Sequence, residues 1–115
     1  MIGNLTIDKA SMNISYFLYT IRIISLNGGR ISRRDFVNQM ADFIGVSAQK
    51  NGKENRTPYN KSKLPRYFGF VDIATDTDNN GINYLELTNR GRKLSEYIGE
   101  KEDTEPNKKY YILSA

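Results

Sequence analysis

The sequence predicts an α+β domain in which helices pack on a small antiparallel sheet. Three segments carry apolar residues at helical spacing, and two short segments, 70–74 and 82–87, have the composition of strands separated by turn-forming residues. The length of 115 residues is that of one domain with one core. Cysteine and histidine are both absent, which excludes disulfides, thiolate or imidazole zinc sites, and Ser-His-Asp or Cys-His catalysis.

The first predicted helix spans Met12 to Leu26 and is apolar on two opposite sides. One side carries Ile14, Phe17, Leu18, Ile21 and Ile24, and the other carries Met12, Tyr16, Tyr19, Ile23 and Leu26. Because both sides need cover, we expect Tyr16, Tyr19 and Ile23 to contact a second copy in a homodimer or another domain. Complete burial of this second side within the chain is the alternative. The segment is too short to cross a bilayer and contains Arg22, so no membrane partner is expected.

A minimal strand at Arg30-Ile31 precedes the second predicted helix, which ends at Gly45. Ser32 is placed as its N-cap, with Asp35 as a capping carboxylate three residues later. One face of this helix is apolar and holds Phe36, Val37, Met40, Phe43 and Ile44. Residues 46–56 are polar and basic without periodicity, and we predict a loop there.

Thr57-Pro58 predicts the start of a third helix, with Thr57 as N-cap and proline at the first helical position. The helix continues to about Phe68, and Gly69 ends it. Pro65 predicts either a kink or two short abutting helices, the second beginning near Pro65.

The strands Phe70–Ala74 and Ile82–Leu87 are predicted to form a hairpin. Thr88 is predicted to cap a last helix, in which Gly91, Leu94, Tyr97 and Ile98 share a face. Residues 99–109 are polar, and the apolar run 110–113 either pairs as an edge strand or marks a cut through a larger protein. We therefore divide the chain into an N-terminal arm (1–10), one domain (11–99) and a C-terminal tail or link (100–115).

Over residues 11–99 this order resembles a winged helix-turn-helix DNA-binding domain. Residues 32–44 and 57–68 stand where that family has its paired helices, 69–73 correspond to the first wing strand, and 84–91 are similar to its strand-Leu-Thr-x-x-Gly ending. The resemblance implies a core of three to four helices with a β-hairpin wing, and double-stranded DNA as partner. Two features depart from it: about 12 residues separate the paired helices where 3–4 are usual, and Asp76 and Asp78 make the wing acidic.

Positive charge is concentrated in one segment of 21 residues, which holds the basic loop and the predicted third helix. The net charge of the chain is +4, whereas residues 50–70 alone carry +5 and residues 71–87 carry −4. Side chains near the N-terminal half of a recognition helix read bases, and the candidates are Thr57, Tyr59, Asn60, Lys61 and Lys63. Asn60 suits adenine, and the lysines suit guanine or phosphate. Phosphate contacts are expected from four arginines: Arg33, Arg34, Arg56 and Arg66.

Two other chemistries have partial signals. Residues 76–81 match the first half of an EF-hand calcium loop, but Glu86 falls at the eleventh loop position where the twelfth is required, so a plain hairpin turn is favoured. Asp72 and Glu86 lie on neighbouring predicted strands without the Glu-x-Lys of metal-dependent nucleases. We therefore expect no catalytic residue, no metal and no cofactor.

The sequence thus predicts a cytoplasmic, non-enzymatic module that binds duplex DNA, for which transcriptional regulation is one role. A first alternative is the non-catalytic recognition domain of a restriction endonuclease, since Arg66-Tyr67-Phe68-Gly69-Phe70 followed by Leu87-Thr88 is similar to such modules. A second alternative is a winged helix used only for protein assembly, because fold alone does not decide function.

Overall fold

The computed structural model describes residues 7–79 and 81–104 of the chain. The elements of this part, in chain order, are α1 (Ile7–Leu26), β1 (Arg30–Ser32), α2 (Arg33–Ile44), β2 (Gln49–Lys50), β3 (Lys53–Glu54), α3 (Arg56–Asn60), α4 (Lys63–Tyr67), β4 (Val71–Asp76), a 3₁₀ turn (Thr77–Asn79), β5 (Ile82–Leu87) and α5 (Asn89–Thr104). None of the helices in these ranges has both the length and the apolar composition that a membrane span requires.

The strands form one three-stranded antiparallel sheet in the order β1-β5-β4 and one separate hairpin, β2-β3. In the larger sheet Leu85 of the central strand lies opposite Ile31 on one side and Ile73 on the other. Helices α1, α2 and α3–α4 together with the β4–β5 hairpin make a winged-helix-like arrangement. The predicted α+β fold class is therefore confirmed.

The core lies where α1 and α2 meet the central strand. Phe36 and Met40 of α2, Ile21 and Ile24 of α1, and Leu85 of β5 are all fully buried. Phe36 and Met40 are four residues apart on α2, so they project from one helix face onto the same neighbours. This packing fixes α2 against the sheet and leaves the opposite face of α2 in solvent.

Helix boundaries agree with the predicted ones where a local cap sets them. The Oγ of Ser32 accepts the Asp35 N–H at 3.2 Å, and α2 ends at Gly45 in the left-handed conformation. The ends of the chain differ from prediction: α1 begins at Ile7, inside the expected arm, and α5 continues to residue 104, inside the expected polar stretch. Residues 110–113 lie outside the described part of the chain.

Most of the residues predicted to share one face of α5 are buried or half-buried. Gly91 and Ile98 are buried and Leu94 is half-buried, whereas Tyr97 is 55% exposed. Tyr97 lies about 100° around the helix from Ile98, which places it off the packed stripe. Its inclusion in that face was wrong.

The expected partner-facing side of α1 is covered mainly by the chain itself. Ile23 is 2% exposed, and the ring of Tyr19 stacks on Phe43 of α2 with centroids 3.7 Å apart. Tyr16 meets the same Phe43 edge-on at 6.2 Å, and both tyrosines are half-buried. The apolar face of α2 thus covers the two tyrosines in part, while Leu26 on the same side of α1 is 73% exposed. Contact of this side with a partner stays a prediction.

The Thr88 hydroxyl joins the start of α5 to the end of α4. It accepts the Gly91 N–H at 3.1 Å and donates to the Gly69 carbonyl at 2.7 Å. We expect Thr88→Ala to lower the free energy of unfolding by about 1–2 kcal/mol, as loss of an N-cap does. Urea denaturation measures the loss. Thr88→Ser keeps the hydroxyl, so an equal loss in the serine variant would contradict a capping role.

Candidate nucleic-acid interface

A small hairpin stands where the sequence predicted an unstructured loop. Strands β2 and β3 pair with Lys50 opposite Lys53, and Asn51 and Gly52 form the turn between them. Both turn residues have positive φ, 56° for Asn51 and 75° for Gly52. An Asn-Gly pair favours the type I′ turn that matches the twist of a two-residue hairpin. The loop prediction was wrong here, and Asn51-Gly52 was the signal that could have corrected it.

Helix α3 begins earlier than predicted because Asn55, not Thr57, is its N-cap. The Asn55 side-chain oxygen accepts the Thr57 N–H at 3.2 Å, and its amide nitrogen donates to the Ser47 carbonyl at 2.9 Å. Pro58 is then the third residue of the helix, where its missing N–H removes no intrahelical bond. Thr57 becomes a helical residue with an exposed side chain.

Residues 56–67 form two short helices, as one of the two Pro65 alternatives predicted. The second helix, α4, begins at Lys63, and Pro65 is buried in its first turn. Ser62 at the break is fully buried. Its hydroxyl donates to the Tyr59 carbonyl at 2.7 Å and accepts from the Arg66 Nε at 3.0 Å, so the bend between the helices is fixed by hydrogen bonds.

The ring of Tyr59 is held between two arginines. The guanidinium carbon of Arg33 lies 3.7 Å from the ring centroid, and that of Arg66 lies 4.6 Å from it. Arg33 also forms a bidentate ion pair with Glu54, in which the Nε–Oε1 distance is 3.0 Å and the Nη2–Oε2 distance is 2.7 Å. The hydrogen bond to Glu54 raises the pKa of the Arg33 guanidinium. These contacts join α2, β3, α3 and α4.

Three of the side chains that the sequence predicts to contact DNA therefore contact other residues of the protein. Arg33 is engaged with Glu54 and Tyr59, Arg66 with Ser62 and Tyr59, and Tyr59 with both arginines. Each side chain is half-buried. An arginine side chain that stacks on an aromatic ring gains cation–π energy. The spacing of residues in the sequence does not reveal such a contact. Through these contacts the three residues hold α2, α3 and α4 together, while their contacts with DNA stay predictions.

Lys61 is also turned toward its own domain. Its ammonium nitrogen lies 4.4 Å from the centroid of the Tyr16 ring on α1, and the residue is half-buried. This contact places the Lys61 ammonium group beside α1, and the base contact by Lys61 stays a prediction. Lys63, two residues later, is exposed.

The remaining predicted residues share an exposed surface or flank it. Thr57, Asn60 and Lys63 line a depression of about 310 Å³ along α3 and α4, which Lys61 and Tyr16 also line. Arg56 lines a neighbouring depression of about 570 Å³ together with Lys50 and Lys53 of the hairpin. Arg34 is exposed on α2 and lines a third depression with Gln49 and Glu54 of the hairpin. We call the surface of Arg56, Thr57, Asn60 and Lys63 the α3 face.

The cations of this region have few acidic neighbours. Within the described part of the chain, the ion pair found for the basic segment is Arg33–Glu54, and Glu54 is the one carboxylate of residues 49–67. Arg56 and Lys63 make no ion pair or hydrogen bond to another described side chain. Their charges are therefore free to attract an anion from solution.

The β4–β5 hairpin carries the opposite charge. The Asp76 carboxylate accepts the Asp78 N–H at 3.1 Å and so caps the 3₁₀ turn, and Asp72 lies directly opposite Glu86. In the described ranges no three acidic side chains come together as a metal site. The favoured interpretation of residues 76–81 as a hairpin connection agrees with their place between the paired strands.

An apolar depression lies on α1 opposite the tyrosine side. Ile14, Leu64 and Phe68 are each about half exposed, and with Phe17 and Leu18 they line a depression of about 280 Å³ between α1 and α4. Apolar surface of α1 is thus exposed on both sides of the helix, at Ile14 here and at Leu26, which is 73% exposed, on the side predicted to meet a partner.

Comparison of the chain with models of known protein families, with curated proteins and with solved structures finds no match.

Proposed function

We propose that this protein is a module that binds duplex DNA through the α3 face. The observation that carries the proposal is the exposed, uncompensated charge of Arg56 and Lys63 on either side of Thr57 and Asn60. A positive surface free of carboxylates binds the phosphate backbone by releasing counterions. Polar side chains between the cations can donate and accept hydrogen bonds at base edges.

The dimensions of α3 limit how much sequence it reads. A helix of five residues is about 7.5 Å long, which corresponds to roughly two base pairs at about 3.4 Å each. Asn60 is the side chain suited to adenine, and Thr57 is suited to either a base edge or a thymine methyl group. Most of the affinity is therefore expected from phosphate contacts and only a smaller part from base readout.

The acidic β4–β5 hairpin is kept away from DNA in this proposal. Four carboxylates lie between residues 71 and 87, and they repel phosphate. Contact is instead restricted to the α2, α3 and α4 side of the domain, where Arg34 adds a further exposed cation. A transcriptional regulator and a recognition module of a restriction endonuclease both use such a surface, and the proposal covers both. A duplex DNA partner agrees with the expected cytoplasmic location.

The test is the salt dependence of binding to a duplex of about 20 base pairs, followed by fluorescence anisotropy. We expect wild-type affinity to fall steeply with salt. In Arg56→Ala/Lys63→Ala the slope of log K against log salt should become less negative by about 1.8, because each phosphate contact contributes about −0.9 to the slope. The affinity at about 0.1 M salt should fall by roughly 10- to 100-fold.

A matched control comes from α5. Arg92 and Lys93 are exposed, so Arg92→Ala/Lys93→Ala removes the same charge from another surface. The control should bind nearly as the wild type does. Wild-type protein without salt-dependent binding, or an equal loss in both double variants, would overturn the proposal.

A further inference from the structure

The β2–β3 hairpin places two like charges directly opposite each other. Lys50 and Lys53 are cross-strand partners next to the Asn51-Gly52 turn, and both are exposed. Directly opposite residues have Cβ atoms about 5 Å apart, and like charges in such a pair destabilise the strands. The nearest carboxylate in sequence, Glu54, is engaged by Arg33 at 2.7 Å. The hairpin therefore keeps a charge repulsion that its own fold does not relieve.

The base of the hairpin is nevertheless tied firmly to the domain. The Asn55 N–H donates to the Ala48 carbonyl at 2.9 Å, and its side chain donates to the Ser47 carbonyl at 2.9 Å. Glu54, the last residue of β3, is bound by Arg33 at the start of α2. Two strands of two residues would not be stable alone, so these ties are what position the lysines.

The lysines are continuous with the α3 face. Lys50, Lys53 and Arg56 line one depression, and Arg56 is the first residue of α3. Glu54 also lines this depression, but its carboxylate is paired with Arg33. A phosphate held near this depression would face three cations from two elements. Binding an anion between Lys50 and Lys53 would also relieve their mutual repulsion, which adds a gain that a single surface lysine lacks.

We propose that the β2–β3 hairpin is a second phosphate-binding element that grips the DNA backbone beside α3. The inference rests on the proposed function and extends it to residues outside the recognition segment. The hairpin takes the place of the β4–β5 wing, whose carboxylates repel phosphate. Lys50 and Lys53 contact the backbone, while Arg33 and Glu54 are positioning residues that fix the base of the hairpin.

The experiment replaces both lysines by glutamine, which keeps polarity and most of the length but removes the charge. In Lys50→Gln/Lys53→Gln we expect the slope of log K against log salt for the same duplex to become less negative by about 1.8. The affinity at about 0.1 M salt should fall by roughly 10- to 100-fold. The melting temperature of this variant should equal or exceed that of the wild type, because the repulsive pair is gone. A loss of affinity without a loss of stability separates phosphate binding from unfolding.

Arg92→Gln/Lys93→Gln is the matched control, with the same change of charge on α5. If the wild type binds duplex DNA and the α3-face variant loses affinity, but the hairpin variant behaves like this control, the hairpin inference is wrong and the proposed function stands. If the wild type shows no salt-dependent binding, the proposed function and this inference fail together. A hairpin variant with a lower melting temperature would also contradict the inference, since the two charges would then be stabilising.

Discussion

Gly91→Ala is expected to destabilise the folded protein by about 3 kcal/mol or more. A Cβ atom at Gly91 would overlap the carbonyl oxygen of Phe70 and would lie 3.1 Å from the Leu87 side chain. Overpacking that a side chain can relieve costs about 1–3 kcal/mol. Here the obstacle is backbone, and the same carbonyl accepts the Thr88 N–H at 3.1 Å, so relief requires breaking that hydrogen bond.

The same substitution at Gly99 is the control. Gly99 is also on α5 and is exposed, and a methyl group added there would have no described atom within 4 Å beyond its own stretch of helix. Gly99→Ala should be neutral or stabilising by up to about 1 kcal/mol, since alanine favours the helix. Urea denaturation of the two variants measures the difference. Equal midpoints would show that α5 does not approach the Phe70 carbonyl closely enough to exclude a methyl group.

This contact matters for the α3 face because it fixes the end of α4. Arg90 donates to the Phe68 carbonyl at 2.8 Å and Thr88 to the Gly69 carbonyl at 2.7 Å. Helix α4 ends there, with the Phe70 N–H bonded to the Pro65 carbonyl at 2.9 Å. The start of α5 thus holds the junction between α4 and β4, and through it the orientation of Lys63.

The sequence predicted the features that are set by a few neighbouring residues. Ser32, Gly45 and Thr88 cap the helices as predicted because each acts on backbone groups within three or four residues. The bounds of β5 were predicted to the residue, 82–87. Local hydrogen bonding is enough to predict a helix cap, and the alternation of apolar and polar residues is enough to predict the bounds of a strand.

Features that depend on distant residues were not predictable in this way. On the second apolar side of α1, Tyr16 and Tyr19 pack on Phe43, more than twenty residues along the chain, so the amphipathic pattern of α1 could not show which element covers them. The Asn51-Gly52 hairpin is a different case, because its signal is local. It was missed since two-residue strands give no periodicity.

The sequence selects the residues of the candidate site but not the contacts that their side chains make. Charge and motif select residues 56–66 together with Arg33 and Arg34, and of the selected residues Arg34, Arg56, Thr57, Asn60 and Lys63 are exposed. Arginines that could reach DNA could equally reach the Tyr59 ring or Glu54, and the outcome depends on how α2 and α3 pack. Sequence composition gives the number of cationic side chains but does not show which of them form ion pairs or cation–π contacts within the protein.

Tyr59→Ala is expected to lower the free energy of unfolding by about 2–3 kcal/mol. The ring contacts both Arg33 and Arg66, and each cation–π contact contributes about 0.5–2 kcal/mol. The loss would also leave Pro58 as the buried side chain of α3, so the affinity for duplex DNA should fall with stability.

Tyr59→Phe separates a structural ring from a base-reading hydroxyl. The Tyr59 hydroxyl makes no hydrogen bond to the described residues, and phenylalanine keeps the ring between the two guanidinium groups. The variant should therefore match the wild type within about 0.5 kcal/mol, as substitutions away from specific contacts do, and should bind the duplex with unchanged affinity. If Tyr59→Phe alone lost DNA binding while remaining fully stable, Tyr59 would be reading bases as the sequence predicts, and the Arg33–Tyr59–Arg66 stack would have to open when DNA binds.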